Sequence, residues 1–325
     1  MPATLIVANL RAGGGRARDV LPLVTSALRR AGRDYELIIT PTGEATAPLL
    51  AEFLSVERPA FDQVAVIGGD GTLNGAVNGI LTSGSNLPLG IIPCGTGNEI
   101  VRSLGIPKDP EKAIGVILRG QVCPVDIGKV NNRYFLHIFG LGYDVQVVKM
   151  VNTLRARYRL ARNRLVYYLA TLLLLSAGFD PFPVRVQVGE RTFSGRAIMI
   201  VAANGRMYGE RLLALPAPSL SDGLLDLYLL QELRTRSFRK TARLLRHLPV
   251  PELSVHRCSA VKIQVDQRRE AQVDGSLLGP AQTFDLSLLP RRISVIHPAP
   301  PALVGAPRRA EIGSERRAEI GSERR

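Results

Sequence analysis

An aspartate inside a glycine-rich loop is the first feature of this sequence that could do chemistry. Residues 64–67 are apolar and run into the loop GGDGT at 68–72, after which apolar residues recur at helical spacing. This pattern predicts a strand, a tight loop and a helix, because glycine lets the backbone turn and lets a ligand approach closely. Free N–H groups at a helix start attract an anion such as a phosphate. A carboxylate there, Asp70, indicates a bridging metal ion or a proton in transfer.

A second glycine loop follows the next predicted strand. Residues 88–92 are apolar, and the sequence PCGTGN at 93–98 leads into helical spacing from Glu99. A lone glycine loop is a weak signal, since a simple tight turn between a strand and a helix has the same letters. Two such loops after neighbouring parallel strands would meet at the edge where open α/β sheets bind ligands.

Together the two loops resemble the diacylglycerol kinase catalytic domain. The matching residues are GGDGTLN at 68–74 and PLGIIPCGTGNEIVRSLGIP at 88–107, and the resemblance runs from about residue 4 to residue 298. This superfamily includes sphingosine and ceramide kinases and the bacterial YegS-like lipid kinases, and NAD kinases share its GGDGT element. The resemblance implies an ATP-dependent lipid kinase that transfers the γ-phosphate to a lipid hydroxyl, such as that of diacylglycerol or a sphingoid base, with Mg²⁺ on the phosphates.

The resemblance also implies a nucleotide site. Asn9 and Thr40, after the first two strands, are expected beside ATP, although Leu10 stands where the family usually has proline. The residues expected to bind ATP are Asn9, Thr40, Gly68, Gly69, Asp70, Gly71, Thr72, Asn74, Gly95, Thr96, Gly97 and Asn98.

Three residues are candidates for catalysis: Asp70, Asp274 and Ser276. Bacterial members usually read Asp-Gly-Glu where this chain has DGS at 274–276, and one branch uses that glutamate as the proposed proton acceptor. Serine does not take a proton usefully at neutral pH. The proton acceptor is therefore Asp70 or Asp274, with Asp70 ranked first, or the chain is slow or has lost activity.

A structural magnesium ion is implied near residue 222. The segment 216–226 matches the family pattern Pro-x-Ala…Asp-Gly-x-Leu-Asp. Bacterial members hold magnesium there, which implies the Asp222 carboxylate and the backbone carbonyls of Ser219 and Leu224 as ligands. Oxygen ligands suit a hard cation, but the same letters fit an Asp-Gly turn between two strands.

The order of predicted elements indicates two domains. Alternating strands and helices predict an α/β domain at 1–124 with a doubly wound parallel sheet. The resemblance implies that this sheet is NAD-kinase-like and that the domain binds the nucleotide. Short strands at 125–300, among them 133–139, 283–288 and 293–297, predict a mostly antiparallel β-sandwich, interrupted by a helical stretch at 147–176. The resemblance implies that this second domain takes the lipid. Residues 301–325 are expected to be a disordered basic tail. Residues 308–325 repeat the sequence RRAEIGSE with a period of eight, and one isoleucine per repeat cannot form a core.

The composition limits the classes of partner that we expect this chain to bind. The net charge is +14 and only 5% of residues are aromatic. The charge suits a lipid substrate at an anionic membrane surface, or it reflects a general arginine bias. Without a nucleic-acid motif or aromatic residues for stacking, we expect no nucleic-acid partner. The longest apolar run, 165–177, is shorter than the about 20 residues that span a bilayer.

The termini and cysteines favour a cytoplasmic protein that associates peripherally with the inner membrane face. The N-terminus lacks the basic and apolar regions of a signal peptide. Three widely spaced cysteines predict neither disulfides nor a zinc site. Whether the chain forms a homodimer stays open.

Three rival functions remain at this point. Ser276 favours a nucleotide-binding pseudokinase with a regulatory role, and the shared GGDGT loop favours a kinase of a soluble nucleotide such as NAD. The high positive charge fits a membrane-binding module without a nucleotide.

Overall fold

The computed structural model describes residues 3–56, 61–157, 180–204, 220–232 and 252–298, together with 166, 169–171, 173 and 174. The helices are α1 (Arg16–Arg30), α2 (Thr46–Ser55), α3 (Asp70–Thr82), α4 (Glu99–Ser103), α5 (Pro110–Arg119) and α6 (Tyr143–Arg157). The strands are β1 (Ala3–Ala8), β2 (Asp34–Ile39), β3 (Gln63–Gly68), β4 (Leu89–Pro93), β5 (Gln121–Val130), β6 (Arg133–Phe135), β7 (Ile138–Gly142), β8 (Phe182–Val188), β9 (Arg191–Ala203), β10 (Leu225–Gln231), β11 (Leu253–Cys258), β12 (Ala260–Val273) and β13 (Ser276–His297).

Strands β1 to β4 pair in parallel, in the order β4-β3-β1-β2. Side chains alternate between the two faces of a strand, so Val7 of β1 lies in one apolar cluster and Ile6 in another. Leu50 of α2 packs in the first cluster, and Val20 of α1 packs in the second. Helices therefore cover both faces of this sheet, which is why its central strands are apolar throughout.

Strands β5 to β13 pair mostly in antiparallel fashion, so the expected β-rich second unit is confirmed. Strand β13 joins the two units, because Val295 pairs in parallel with Leu89 of β4. Among the described residues, thirteen strands thus form one continuous hydrogen-bonded sheet. The predicted domain boundary after residue 124 falls within β5.

Some elements differ from the sequence-based prediction. The predicted strand at 133–139 is split into β6 and β7, because the N–H groups of residues 136–138 point at the Asp274 carboxylate. The predicted strands at 283–288 and 293–297 are both parts of β13, whose pairing with β5 shifts between Leu289 and Ile293. The helix predicted from residue 147 begins at Tyr143, and the edge strand β11 was not predicted.

The described residues also bear on membranes and disulfides. No helix in these ranges combines the length and apolarity that a bilayer span needs. Cys94, Cys123 and Cys258 are free thiols, and all three side chains are buried.

Candidate active site

The loops after β1, β3 and β4 meet at the carboxyl edge of the parallel sheet. The Asn9 N–H donates to the carbonyl of Ile67 (3.0 Å), and the Cys94 N–H donates to the carbonyl of Gly68 (2.7 Å). Backbone hydrogen bonds thus continue the sheet into the loops, so the loop residues have fixed positions above it.

The two predicted glycine loops touch each other through their backbones. A Cβ built on Gly95 would lie 2.6 Å from the Cα of Gly69, and one built on Gly69 would lie 3.0 Å from the Cα of Gly95. The contact at Gly95 is too short for a side chain, and the contact at Gly69 leaves little room for one. The two loops therefore belong to one cleft.

Two further glycines place the loops after β1 and β2 in close contact with these two glycine loops. Gly13 has a φ of 61°, and a Cβ on it would lie 2.0 Å from the carbonyl oxygen of Cys94. A Cβ on Gly43 would lie 2.9 Å from the backbone carbon of Gly71. The sequence analysis gave Gly43 no role, although its position in the loop after β2 was the available signal.

The amino terminus of α3 forms the floor of the cleft. Gly69 precedes the helix in an extended conformation and has no side chain to cap it, so the first N–H groups are available to an anion. The Asn9 side chain donates to Oγ1 of Thr72 (3.2 Å), and Asn9 Oδ1 accepts from the N–H of Arg11 (3.0 Å). Asn9 thus links the first loop to the first turn of α3.

Asp70 lies where the two glycine loops face each other. Its Oδ1 accepts a long hydrogen bond from the N–H of Ile100 (3.4 Å), and a Cβ on Gly97 would lie 2.8 Å from its Oδ2. Burial raises the pKa of the Asp70 carboxyl, while the N–H groups of residues 98–100 and the Arg102 charge lower it. A raised carboxyl pKa suits a group that accepts a proton near neutral pH.

The second loop is closed by Asn98. Its φ is 52°, a left-handed conformation that asparagine tolerates, and its Nδ2 donates to the carbonyl of Gly95 (2.9 Å). Thr96 is exposed at the loop tip. The predicted residues that the structure brings together here are Asn9, Gly69, Asp70, Gly71, Thr72, Gly95, Thr96, Gly97 and Asn98.

Three predicted ATP residues lie below or beside this cleft. Gly68 is buried under the loop, because a Cβ on it would lie 2.5 Å from Cβ of Thr72. Thr40 is buried, and its hydroxyl accepts from the hydroxyl of Thr46 (3.1 Å). Asn74 is turned toward the second unit, where its Nδ2 donates to Asp274 (2.7 Å).

Asp274 occupies the tight turn between β12 and β13. Its Oδ2 accepts from Asn74 and from the N–H of Leu136 (2.8 Å), and its Oδ1 accepts from the N–H groups of His137 and Ile138 (both 2.9 Å). Burial raises the pKa of Asp274, and these donors oppose that effect. Ser276 is the first residue of β13 and is partly exposed.

At the turn predicted to hold magnesium, Asp222 forms an ion pair with Arg257. Asp222 Oδ1 also accepts from the N–H of Leu224 (3.1 Å), and Ser219 lies outside the described residues. Each oxygen of Asp222 thus already accepts from one N–H group, Oδ1 from Leu224 and Oδ2 from Arg257. Magnesium at this turn stays a prediction, and the described ranges contain no cluster of three or more metal-binding side chains.

Arg257 also contacts a second carboxylate at this turn. It lies opposite Asp226 in the β10–β11 pairing, with a distance of 3.4 Å between its Nε and Oδ1 of Asp226. Burial raises the pKa of Asp226, the Arg257 charge lowers it and the Asp222 charge raises it. One guanidinium therefore contacts both carboxylates and offsets part of their combined charge.

Sequence reasoning missed several buried polar residues between the two units. Asp126 is fully buried, and its carboxylate accepts from the N–H groups of Gly223 and Arg291 (both 2.8 Å). Asn204 donates from Nδ2 to the carbonyls of Asp126 and Leu136 (both 2.9 Å). An aspartate inside the apolar strand β5 was the one signal in the sequence.

His137 is a further buried group at this junction. Its side chain is 3% exposed, and Nε2 has no hydrogen-bond partner among the described residues. Burial and the nearby Arg102 charge lower its pKa to about 4, so the ring is neutral at pH 7. Arg102, on α4, thus lies close to both Asp70 and His137.

The chain is similar to known proteins over most of its length. A model of the diacylglycerol kinase catalytic domain matches residues 3–130, and a model of the YegS C-terminal NAD kinase beta sandwich-like domain matches residues 138–297. A diacylglycerol kinase of Bacillus subtilis (strain 168) is 30% identical over 245 residues, which cover 73% of this chain and 78% of that protein. A diacylglycerol kinase of Mycobacterium tuberculosis (strain ATCC 25618 / H37Rv) is 29% identical over 300 residues, covering 89% and 93%.

The fold is also found in a solved structure. A crystal structure of a diacylglycerol kinase from Bacillus anthracis str. Sterne superposes with a TM-score of 0.69 at 24% identity, covering 93% of this chain and 98% of that one. Matches to both domain models and to relatives across most of their length establish the family. This chain therefore belongs to the YegS-like lipid kinase family.

Proposed function

We propose that this protein transfers the γ-phosphate of ATP to the hydroxyl of a lipid such as diacylglycerol or a sphingoid base. The observation that carries the proposal is the contact between Gly69 and Gly95, which leaves Asp70 between two phosphate-binding loops. The lipid would enter from the second unit, which meets α3 at Asn74.

The chemistry balances with Asp70 as proton acceptor. The alcohol oxygen forms a bond to the γ-phosphorus, the bond from that phosphorus to the β,γ-bridging oxygen breaks, and ADP leaves. The hydroxyl proton passes to the Asp70 carboxylate, whose pKa is raised by burial. When bound, Mg²⁺ neutralises charge on the phosphate oxygens. The protein supplies position and charge, through the loop N–H groups and the nearby Arg102.

Radiolabelled phosphate transfer tests this proposal. Purified protein, Mg²⁺ and γ-labelled ATP are incubated with diacylglycerol, sphingosine and ceramide in mixed micelles, and with NAD in a separate arm. Labelled lipid supports the proposal. Labelled NAD without labelled lipid would favour a kinase of a soluble nucleotide.

A pseudokinase is the second candidate, because Ser276 occupies the position where bacterial relatives usually have glutamate. ATP binding by calorimetry without transfer to any lipid in the panel would favour it. No shift of the melting temperature on adding ATP would point to a membrane module without nucleotide.

We further propose peripheral contact with an anionic membrane. Leu169 and Leu173 lie one helical turn apart and are 51% and 47% exposed, and the net charge of the chain is +14. Exposed leucines on a basic protein favour insertion at the boundary of an anionic bilayer.

A further inference from the structure

Asp274 sits in a turn that only a few residue types adopt. It has a φ of 48°, and Gly275 after it has a φ of 82°. Two successive positive φ values are typical of the tight hairpin turn that joins β12 to β13. The turn directs the Asp274 side chain back at the bend between β6 and β7, where it reaches three consecutive N–H groups.

Within the part of the chain that the structure describes, the Asp274 carboxylate has four hydrogen-bond partners, and all four are donors. Two come to each oxygen, from the Asn74 amide and from the backbone of residues 136–138. A carboxylate offers about four acceptor positions. The contacts thus satisfy the ionised form and leave no position for a substrate proton, which argues against Asp274 as the proton acceptor.

The same contacts join α3 to the second unit. Asn74 lies one turn after Asp70 on α3, so both residues belong to the same side of the helix. One turn further along, Asn78 accepts from the N–H of Tyr134 (3.0 Å) and donates to its carbonyl (3.0 Å). Helix α3, which carries Asp70, is therefore hydrogen-bonded through Asn78 to strand β6. Through Asn74 and Asp274 it is also linked to the bend after that strand.

We propose that Asn74 and Asp274 are a positioning pair that holds the lipid-binding unit in register with the phosphate loops. This inference rests on the proposed function. The pair is 200 residues apart in sequence, and it ties the helix beneath ATP to the backbone at 136–138. Its role is to place the acceptor hydroxyl relative to Asp70 and the γ-phosphate, and it takes no part in proton transfer.

A swap of the two side chains tests the pair. In Asp274→Asn, an NH2 group faces the N–H donors of Asn74 and Leu136. In Asn74→Asp, two carboxylates face each other. Each single variant should lower kcat about 100-fold, with the KM for ATP within about twofold of wild type, because the phosphate loops are unchanged. In the double variant, the amide introduced at position 274 donates to the carboxylate introduced at position 74, and kcat should return to within about tenfold of wild type.

A matched control makes the same chemical change elsewhere. Asn131 also has a positive φ, of 49°, and its side chain bonds to the backbone of Thr283 and Asp285. Asn131→Asp should leave kcat unchanged. Single-variant losses that simply add in the double variant would overturn the inference, as would singles with wild-type kcat.

The outcome is separable from failure of the proposed function. If the wild-type protein phosphorylates no lipid, the proposed function fails and the catalytic role of the pair fails with it. If the wild type is active but the swap restores nothing, only this inference fails. Melting temperatures of the four proteins show whether the variants fold, and a purely structural pair would change them without the selective loss of kcat.

Discussion

Gly69 and Gly95 lie in direct backbone contact, so that a Cβ on Gly95 would fall 2.6 Å from the Cα of Gly69. Each glycine lies in the loop after a different strand, and their contact joins two separate loops into one cleft over the α3 amino terminus. The proposed kinase activity depends on this contact, because the phosphates of ATP need N–H groups from both loops.

Alanine substitutions in the loops should separate folding from nucleotide binding. Gly95→Ala should destabilise the protein by about 2 kcal/mol and abolish ATP binding, because its methyl group meets the Gly69 backbone. Gly71 has nothing within 4 Å of its Cβ position, so Gly71→Ala should keep the wild-type melting temperature and weaken ATP binding. Thermal melts with and without ATP check both variants.

The exposed strand residue Gly279 serves as the control, since its Cβ position is also open. Gly279→Ala should match wild type in both measurements. Wild-type stability and ATP affinity in Gly95→Ala would contradict the described contact.

His137 should make the protein less stable on acidification. Its pKa is lowered from 6.5 to about 4, so between these values the unfolded chain binds a proton that the folded chain does not. Stability is unaffected at pH 7 and falls as the pH drops from about 6.5 to 4, by up to about 3 kcal/mol. His137→Asn should reduce this fall.

Urea denaturation at pH 7, 6, 5 and 4 measures the difference between the two proteins. His256→Asn, at a partly exposed position on the edge strand, is the control and should follow the wild-type curve. If His137→Asn also follows the wild-type curve, the ring is not buried in the neutral form.

Because Arg257 is present, the stability of the turn at residues 220–226 should not depend on divalent cations. Its guanidinium forms ion pairs with both Asp222 and Asp226, so adding EDTA should leave the melting temperature of wild type unchanged. Arg257→Met should lower the melting temperature, and millimolar Mg²⁺ should restore part of the loss, because two carboxylates then lack a counter-charge. A wild-type melting temperature that falls with EDTA would instead support the predicted magnesium site.

Leu169 and Leu173 should contribute to membrane binding. The double variant Leu169→Glu with Leu173→Glu should co-sediment less with vesicles that contain anionic phospholipid, since it loses apolar contact and gains like charge. Its turnover of a short-chain, water-soluble diacylglycerol should stay at the wild-type rate. The control is Leu49→Glu, which replaces an exposed leucine on α2 and should bind vesicles as wild type does. Equal co-sedimentation of wild type, the double variant and Leu49→Glu would show that Leu169 and Leu173 do not contribute to membrane binding.

The features that could be predicted from the sequence are those formed by residues close together in the chain. The apolar run before Gly68 and the glycines after it predict a strand and a loop within a few residues of each other, and the structure has both. The expectation that two glycine loops after neighbouring parallel strands meet at one edge was also correct, because it follows from the local order of strands and loops. These features depend on neighbouring residues, so they are visible without the fold.

The contacts between distant residues could not be predicted. Asn74 was expected to bind ATP, but it donates to Asp274, which lies 200 positions away. The pairing of Arg257 with Asp226 depends on β11, an edge strand whose polar residues hide its period. Such contacts follow from the order and register of strands, which local patterns do not specify.

The proton-accepting role of Asp70 is tested most directly by Asp70→Asn. The variant keeps the shape of the loop, so ATP affinity by calorimetry should stay within about threefold of wild type. Phosphate transfer to the preferred lipid should fall by about 1,000-fold or more, because the group that takes the hydroxyl proton is gone. Ser276→Ala, measured beside it, should keep most of the activity. Wild-type turnover in Asp70→Asn would contradict the account.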